Sequence, residues 1–372
     1  MPTHPAIVTV APQSPLQVLQ VETPIPTLNE ALIHVEWTAS TPLDLHQADG
    51  HLLVTPPQVL GDGVAGTVIS VGPDAKRLKP GAKVFGFTWR SQKEKAHQKY
   101  ACAAENLLAI LPEGFTMQEA VTLGNNFVTA YHTLVMDLGF EFPWPKPNDF
   151  VPNNQHAPVL IWGGASSVGQ YAIQLLKYFG HTQILTTASP RNHELLTNYG
   201  ATKCFDYNEP DVVEQILEYA VSLPPNSNQD ATTSNIPSIL DCIGSAAHSI
   251  SPLTHIAQPH STIAILLPVI LTPSTATTPP TYSMDVSPSS FPWSPNVTAI
   301  GVRTHFYLNN SFHAEHLQPT IMPEMLRRGI VKPNRVRIVE GETMLERAER
   351  ALGLLREGGV SGERLVWRVA DD

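Results

Sequence analysis

A glycine-rich turn between a buried strand and a helix carries the clearest chemistry in this sequence. The run Val159-Leu160-Ile161-Trp162 reads as a strand, and Gly163-Gly164-Ala165-Ser166-Ser167-Val168-Gly169 follows it directly. Gly163 and Gly164 allow a tight turn, and Gly169 lets a helix pack close to the strand. The N–H groups at the helix start can then hold a pyrophosphate. Ser166 stands where the usual pattern has its middle glycine, which narrows the approach of backbone to ligand. The plainer alternative is a glycine-rich turn with no ligand.

The next strand, QILTTAS, decides which dinucleotide fits. Sites that prefer NAD place an acidic residue about 20 residues past the glycines, on the ribose 2′-hydroxyl. Here that strand runs into Ser189-Pro190-Arg191-Asn192 with no acid at its end. Ser189 can donate a hydrogen bond, and the planar fork of Arg191 can pair with a 2′-phosphate. Tyr207, after the following strand, is placed to flank the adenosine. The expected cofactor is NADPH. The competing reading has Ser189 capping a helix and Arg191 solvated.

Two kinds of element must position these residues. As far as about residue 120 the chain is β-rich: AIVTV, ALIHVEW, VAGTVISVG and KVFGF are β-branched stretches bounded by turns, with glycines at close spacing. From about Met117 the period becomes helical, and a Pro- and Asn-rich connector follows. Strands PVLIWG, QILTTAS, KCFDY, SILDCIG and STIAILLP then alternate with helices, the mark of βαβ units and a parallel sheet. In the helix over 167–179, Val168, Ala172, Leu175, Leu176 and Phe179 share one face. Residues 222–237 and 272–295 read as loops, the second a mobile active-site flank or an insertion. A helix over 342–357, with Leu345, Ala348, Leu352 and Leu355 inward, precedes a turn and a last strand.

Composition bounds the rest. The chain has 372 residues, 42% of them hydrophobic, enough for two cores, and its net charge of -10 disfavours nucleic acid or an anionic membrane as partner. The apolar run around Thr262 to Leu271 is too short for a membrane span and is broken by Pro268. The start, MPTHPAIVTV, has no secretory pattern, so the cytoplasm is the expected location. Cys102, Cys204 and Cys242 are scattered, odd in number and expected in the core. Asn296-Val297-Thr298 and Asn309-Asn310-Ser311 match the glycosylation pattern, which means little without a secretory signal.

The succession GDGVAGTVISVG, GGASSVG, TASPRN, FDYNEPDVV and LLREGGVSGERLVWRV resembles the medium-chain dehydrogenase/reductase superfamily over nearly the whole chain. More closely it is similar to the zinc-free fungal branch of trans-acting enoyl reductases and quinone-oxidoreductase-like proteins. The resemblance implies an α/β fold class: a GroES-like β-rich catalytic domain over 1–124, completed by 301–372, around a Rossmann NADP-binding domain over 125–300. It implies cofactor contacts from Leu43, Asp44, His46, Gly164, Ala165, Ser166, Ser167, Val168, Ser189, Pro190, Arg191, Asn192, Tyr207, Leu266, Leu267, Val360 and Ser361. Substrate would lie along Thr129, Tyr131, His132 and Met136, with Arg303 and His305 opposite.

The resembling branch has Asn-Pro-x-Asp-x-Lys after its second strand; this chain has Thr41-Pro42-Leu43-Asp44-Leu45-His46, so His46 takes the lysine position. His46 and Tyr131 are the candidate catalytic donors, although a structural or cofactor-flanking His46 and a merely packed Tyr131 stay open. A zinc alcohol dehydrogenase would need a cysteine in that early turn and a histidine where Gly61-Asp62-Gly63 stands, so no metal is expected. The implied reaction is hydride addition to the β-carbon of an activated alkene, with charge developing on the carbonyl oxygen and a proton reaching the α-carbon. An enoyl thioester on a polyketide synthase or a free metabolite would be the substrate. General quinone or alkenal reduction, or NADPH binding without turnover, are the alternatives, and monomer and homodimer stay open.

Overall fold

The computed structural model describes residues 2–224 and 235–370; of the loop expected over 222–237, residues 225–234 lie outside them. The chain divides into two compact units, one of Met1–Val128, Pro273–Thr281 and Tyr307–Asp372, the other of Thr129–Thr272 and Tyr282–Phe306.

The first unit is β-rich. Its larger sheet runs, edge to edge, through Arg335–Ile338, Glu363–Arg368, Glu30–Ala39, Gly63–Val71, Lys83–Phe87 and Leu108–Ile110, with Tyr100–Ala104 also paired to Glu30–Ala39. A smaller sheet joins Gln17–Glu22, Thr3–Thr9 and Gln58–Val59. One face of these strands buries Ile7, Ile33, Val35, Val64, Leu365 and Trp367 in a common core. The helix Met344–Arg356 closes that core with Met344, Ala348, Ala351 and Leu352, while Leu345 and Leu355 pack half-buried at its margin. A Cβ on Gly66 would meet the His34 carbonyl oxygen at 2.0 Å, so only glycine lets these two strands approach.

Gly353, inside the Met344–Arg356 helix, has open space where a Cβ would stand. Gly353→Ala is expected to stabilise the protein by about 0.5–1 kcal/mol, seen as a higher urea midpoint.

The long loop expected over 272–295 is divided. Pro273–Thr281 belongs to the first unit, where Gln13 Nε2 donates to the Thr275 carbonyl at 3.0 Å and Ser274 Oγ donates to Asp49. Arg356 holds the same Asp49 carboxylate through two bonds of 2.8 Å. This part of the loop is tied down by Gln13 and by Asp49 of the helix Pro42–Gly50, a carboxylate that Arg356 holds in turn.

The second unit is a sheet of six parallel strands: β1 (Val159–Trp162), β2 (Ile184–Thr187), β3 (Lys203–Phe205), β4 (Ser238–Asp241), β5 (Thr262–Leu266) and β6 (Thr298–Val302). Their spatial order is β3-β2-β1-β4-β5-β6, a doubly wound sheet whose direction of winding reverses between β1 and β4. Continuous apolar strands such as VLIW and ILTT suit a sheet covered on both faces. The helix Ser167–Phe179 packs so deeply that Tyr171 and Ile173 are buried along with the expected stripe. Among the described residues no helix is long and apolar enough to cross a membrane.

Candidate functional site

Because the six strands are parallel, the residues that follow them lie along one edge of the sheet. That edge gathers the glycine turn after β1, Ser189 to Asn192 after β2, Tyr207 after β3, Cys242 to Gly244 after β4, Leu267 after β5, and Arg303 and His305 after β6. The carboxyl edge at a reversal of winding is where doubly wound sheets take ligands.

The turn after β1 is tightly specified. Gly163 adopts a positive φ of 84°; its N–H donates to Thr187 Oγ1 at 3.0 Å, and the Gly164 N–H donates to the Thr187 carbonyl at 2.9 Å. A Cβ on Gly164 would fall 2.0 Å from Thr186 Oγ1, and one on Gly169 would fall 2.6 Å from the Gly163 carbonyl oxygen. Ser166 has a positive role in place of the expected glycine: its Oγ accepts the Gly169 N–H at 3.0 Å and caps the helix Ser167–Phe179. Ala165, Ser166 and Ser167 are half-buried, and Val168 is buried beneath them. Backbone cradle, capped helix start and missing side chains together fit a pyrophosphate.

After β2, the Ser189 hydroxyl makes no capping bond and instead lies 3.0 Å from the Tyr207 hydroxyl. Two candidates 18 positions apart thus form one polar pair. Pro190 and Arg191 are exposed, and Asn192 is buried. Arg191 makes no hydrogen bond or ion pair among the described residues, which leaves its guanidinium available to an incoming anion.

Sequence reasoning missed Asp241, at the end of β4. It is fully buried; Oδ1 accepts the N–H groups of Ile243 at 2.9 Å and Gly244 at 3.1 Å, and Oδ2 accepts the Ser249 hydroxyl at 2.7 Å. Burial pushes this carboxyl up to about 6, against those hydrogen bonds. Asp241 shapes the turn that faces Gly163, where Ile243 Cδ1 would lie 2.6 Å from an added Cβ. An acid closing an apolar strand three positions before a glycine was the available signal. Leu266 and Leu267 are half-buried at the end of β5. Cys102 is buried as expected, whereas Cys204 and Cys242 are half-buried.

The substrate candidates of this unit are unequal. Thr129 Oγ1 lies 2.9 Å from Thr304 Oγ1, so the 129–136 and 301–305 segments do meet. Tyr131 is buried, and its hydroxyl donates to the Phe142 carbonyl at 3.1 Å; burial pushes the phenol well above its ordinary range. Its proton is therefore engaged inside the unit. His132 is buried with Nε2 3.9 Å from Asp137, a carboxyl that burial pushes up to about 6. Met136 and Arg303 are exposed, and His305 is half-buried.

In the first unit, Leu43, Asp44 and His46 lie on the helix Pro42–Gly50. Asp44 is buried with both oxygens committed, Oδ2 to the Thr41 N–H at 2.7 Å and Oδ1 to the Gly61 N–H at 3.1 Å. Leu43 is half-buried, as are Val360 and Ser361 before the strand Glu363–Arg368. Asp62, between Gly61 and Gly63, pairs with Lys95 Nζ at 2.5 Å. Among the described residues no three His, Cys, Asp or Glu side chains are grouped to hold a metal ion.

His46 is 9% exposed, and burial pushes its imidazole down to about 4, with Asp49 opposing. At neutral pH it is therefore an uncharged N–H donor. The unfolded chain binds this proton near 6.5 and the folded chain only near 4, so acidification across that window favours unfolding. His46→Gln is expected to reduce the loss of Tm between neutral pH and about pH 5, measured by scanning calorimetry.

The alcohol dehydrogenase GroES-like domain matches residues 27–132. Trans-enoyl reductase tazE of Aspergillus terreus is 34% identical over 225 residues, 58% of this chain and 72% of that one. Trans-enoyl reductase pvhC of Talaromyces variabilis is 28% identical over 362 residues, 93% of this chain and 92% of that one. Dehydrogenase orf1 of Aspergillus niger is 34% identical over 228 residues, and the match spans 59% of this chain but only 64% of that relative. Among solved structures, CurK enoyl reductase aligns with a TM-score of 0.72 at 17% identity, covering 98% of this chain and 99% of that one. The quinone oxidoreductase from Coxiella burnetii aligns with a TM-score of 0.71 at 23% identity, covering 99% and 100%. These two likenesses establish the fold.

Proposed function

We infer the activity of this chain from the fact that it belongs to the medium-chain dehydrogenase/reductase superfamily, in its zinc-free, fungal enoyl reductase-like branch. It is an NADPH-dependent reductase of an activated C=C bond, acting in the cytoplasm on an enoyl thioester or a free α,β-unsaturated carbonyl compound of fungal secondary metabolism. The observation that carries the cofactor reading is the carboxyl edge of the parallel sheet, where a glycine cradle shares the edge with Arg191, unpaired among the described residues, and a Ser189–Tyr207 pair. When bound there, NADPH supplies the hydride that reaches the β-carbon.

The chain's own residues do the rest. The Ser167–Phe179 helix start receives the pyrophosphate, and Arg191 with Ser189 receives the 2′-phosphate. His46, as a neutral N–H donor, offers a hydrogen bond to the carbonyl oxygen as negative charge develops on it. Because Tyr131 spends its proton on Phe142, His46 is the stronger donor candidate, with water protonating the α-carbon. His46→Leu, which removes the donor, is expected to lower kcat about tenfold, the weight of one hydrogen bond, with NADPH affinity within twofold and His46→Lys restoring the rate.

The relatives' name, trans-enoyl reductase, favours an enoyl substrate, for which the proposed form is a carrier-bound thioester on a polyketide synthase; the likeness to quinone oxidoreductases keeps a quinone or alkenal reductase as the second reading. The deciding experiment follows NADPH loss with 2-enoyl thioesters, naphthoquinones and 2-alkenals in parallel, with NADH as control. Turnover of thioesters alone supports the enoyl reductase, and turnover of quinones or alkenals moves it to the second reading. Tight NADPH binding without consumption across the panel points to a catalytically silent relative.

A further inference from the structure

Within the first unit, four chain segments bring charged groups into one buried cluster that the reaction scheme does not use. The helix Pro42–Gly50 contributes Asp44, the Gly61–Gly63 segment contributes Asp62, and the residues before Tyr100–Ala104 contribute Lys95. The strand Glu363–Arg368 adds Arg364, whose guanidinium donates to the Ala39 carbonyl at 3.3 Å. All four are nearly sealed from water: Asp44 is 1% exposed, Asp62 2%, Lys95 5% and Arg364 5%. Two carboxylates face two cations, so the cluster as a whole is neutral.

Such a cluster is a costly way to stabilise a fold, because desolvation of buried ions offsets most of their attraction. What it does here is local. Asp44 spends its two oxygens on the amides of Thr41 and Gly61, which clamps the turn leading into the helix that carries Leu43 and His46. The same turn is held from behind by the Ser40 N–H on the Leu365 carbonyl at 2.9 Å and by Trp367 Nε1 on Ser40 Oγ at 2.9 Å. Among the described residues Asp62 bonds to Lys95 through Oδ1 alone, and its Oδ2 is buried without a hydrogen-bond partner. Remove the ammonium and Asp62 becomes an unbalanced charge beside Asp44. Burial first and the like charge of Asp62 second push the Asp44 carboxyl up, while the Thr41 N–H, Lys95 and Arg364 oppose them.

We propose that Lys95 is a positioning residue: its ammonium balances Asp62, so that Asp44 stays free to hold the amides of Thr41 and Gly61 and with them the turn that presents Leu43 and His46. The kinetic consequence rests on the reductase reading above, but the structural one does not.

The test is amide hydrogen exchange of residues 39–47 and 58–64 in the full-length protein, alongside kcat and KM. Lys95→Met is expected to speed exchange of the Thr41 and Gly61 amides at least tenfold and to lower kcat with KM little changed. The double variant Lys95→Met/Asp62→Asn, which removes both charges, is expected to return exchange to within threefold of the parent and to recover most of kcat. Unchanged exchange in Lys95→Met overturns the proposal, as does exchange in the double variant as fast as in the single. Should Lys95→Met fail to fold, Lys95→Arg and the double variant carry the test, and fast exchange in either sinks it. If the parent protein reduces none of the substrates, that failure falls on the reductase reading, and the exchange measurements still decide the role of Lys95.

Discussion

Replacing Arg191 by alanine is expected to weaken NADPH binding by about 100-fold and to leave NADH binding within twofold, read by titrating the fluorescence of each reduced cofactor. The size follows from the chemistry of the pair. A guanidinium meeting a phosphate dianion makes charge-assisted, bidentate bonds, each stronger than a neutral hydrogen bond. Arg191 is exposed and has no partner among the described residues, so no internal ion pair must break before it binds. β2 also ends without an acid, so no carboxylate at that position repels the 2′-phosphate or anchors a 2′-hydroxyl. The discrimination should shrink with added salt, because the pair forms near the surface. Equal weakening of both cofactors would mean that Arg191 supports the turn rather than reading the phosphate.

Gly169→Val is expected to destabilise the protein by about 3 kcal/mol and to abolish measurable NADPH binding at concentrations that saturate the parent. The added Cβ would meet backbone on every side: the Gly163 carbonyl oxygen at 2.6 Å, Gly164 Cα at 2.7 Å and the Gly164 carbonyl carbon at 3.0 Å. Backbone cannot rotate aside as a side-chain tip can, so the start of the Ser167–Phe179 helix must move off the turn it is meant to face. Gly164→Ala offers the comparison. Its first collision is with Thr186 Oγ1 at 2.0 Å, a hydroxyl held by the Ile161 carbonyl at 2.8 Å, which can be displaced at the expense of one hydrogen bond. Chemical denaturation and cofactor titration of both variants separate the two effects. Comparable, small losses would show that the turn tolerates a wider helix approach than its geometry indicates.

Several functional features were legible in the residues themselves. The strand–glycine turn–helix at 159–179, the alternation that makes a parallel sheet and the missing acid after β2 all follow from local pattern and order, and the same order carries the proposal of Ser189, Arg191 and Tyr207 as cofactor contacts. Ser166 departs from the glycine pattern, yet its hydroxyl caps the helix. The expected domain limits at 124 and 300 differ from the unit boundaries by a few residues, with Val128 and Phe306 closing segments. Pro273–Thr281 joins the first unit.

Sequence alone determined the periodicities, the turn chemistry and the types of the candidate groups, because those depend on neighbours within a turn or two of chain. Only the tertiary structure decided which candidates are chemically available. Asp44 is committed to two amides, one of them 17 positions away. Tyr131 donates its hydroxyl hydrogen bond to the Phe142 carbonyl, His46 is held neutral, and Lys95 meets Asp62 across 33 positions. Whether a polar side chain is charged, neutral or already bonded depends on how much water its surroundings exclude and which distant groups share its pocket. That environment is assembled from strands far apart in the chain, so no local pattern records it.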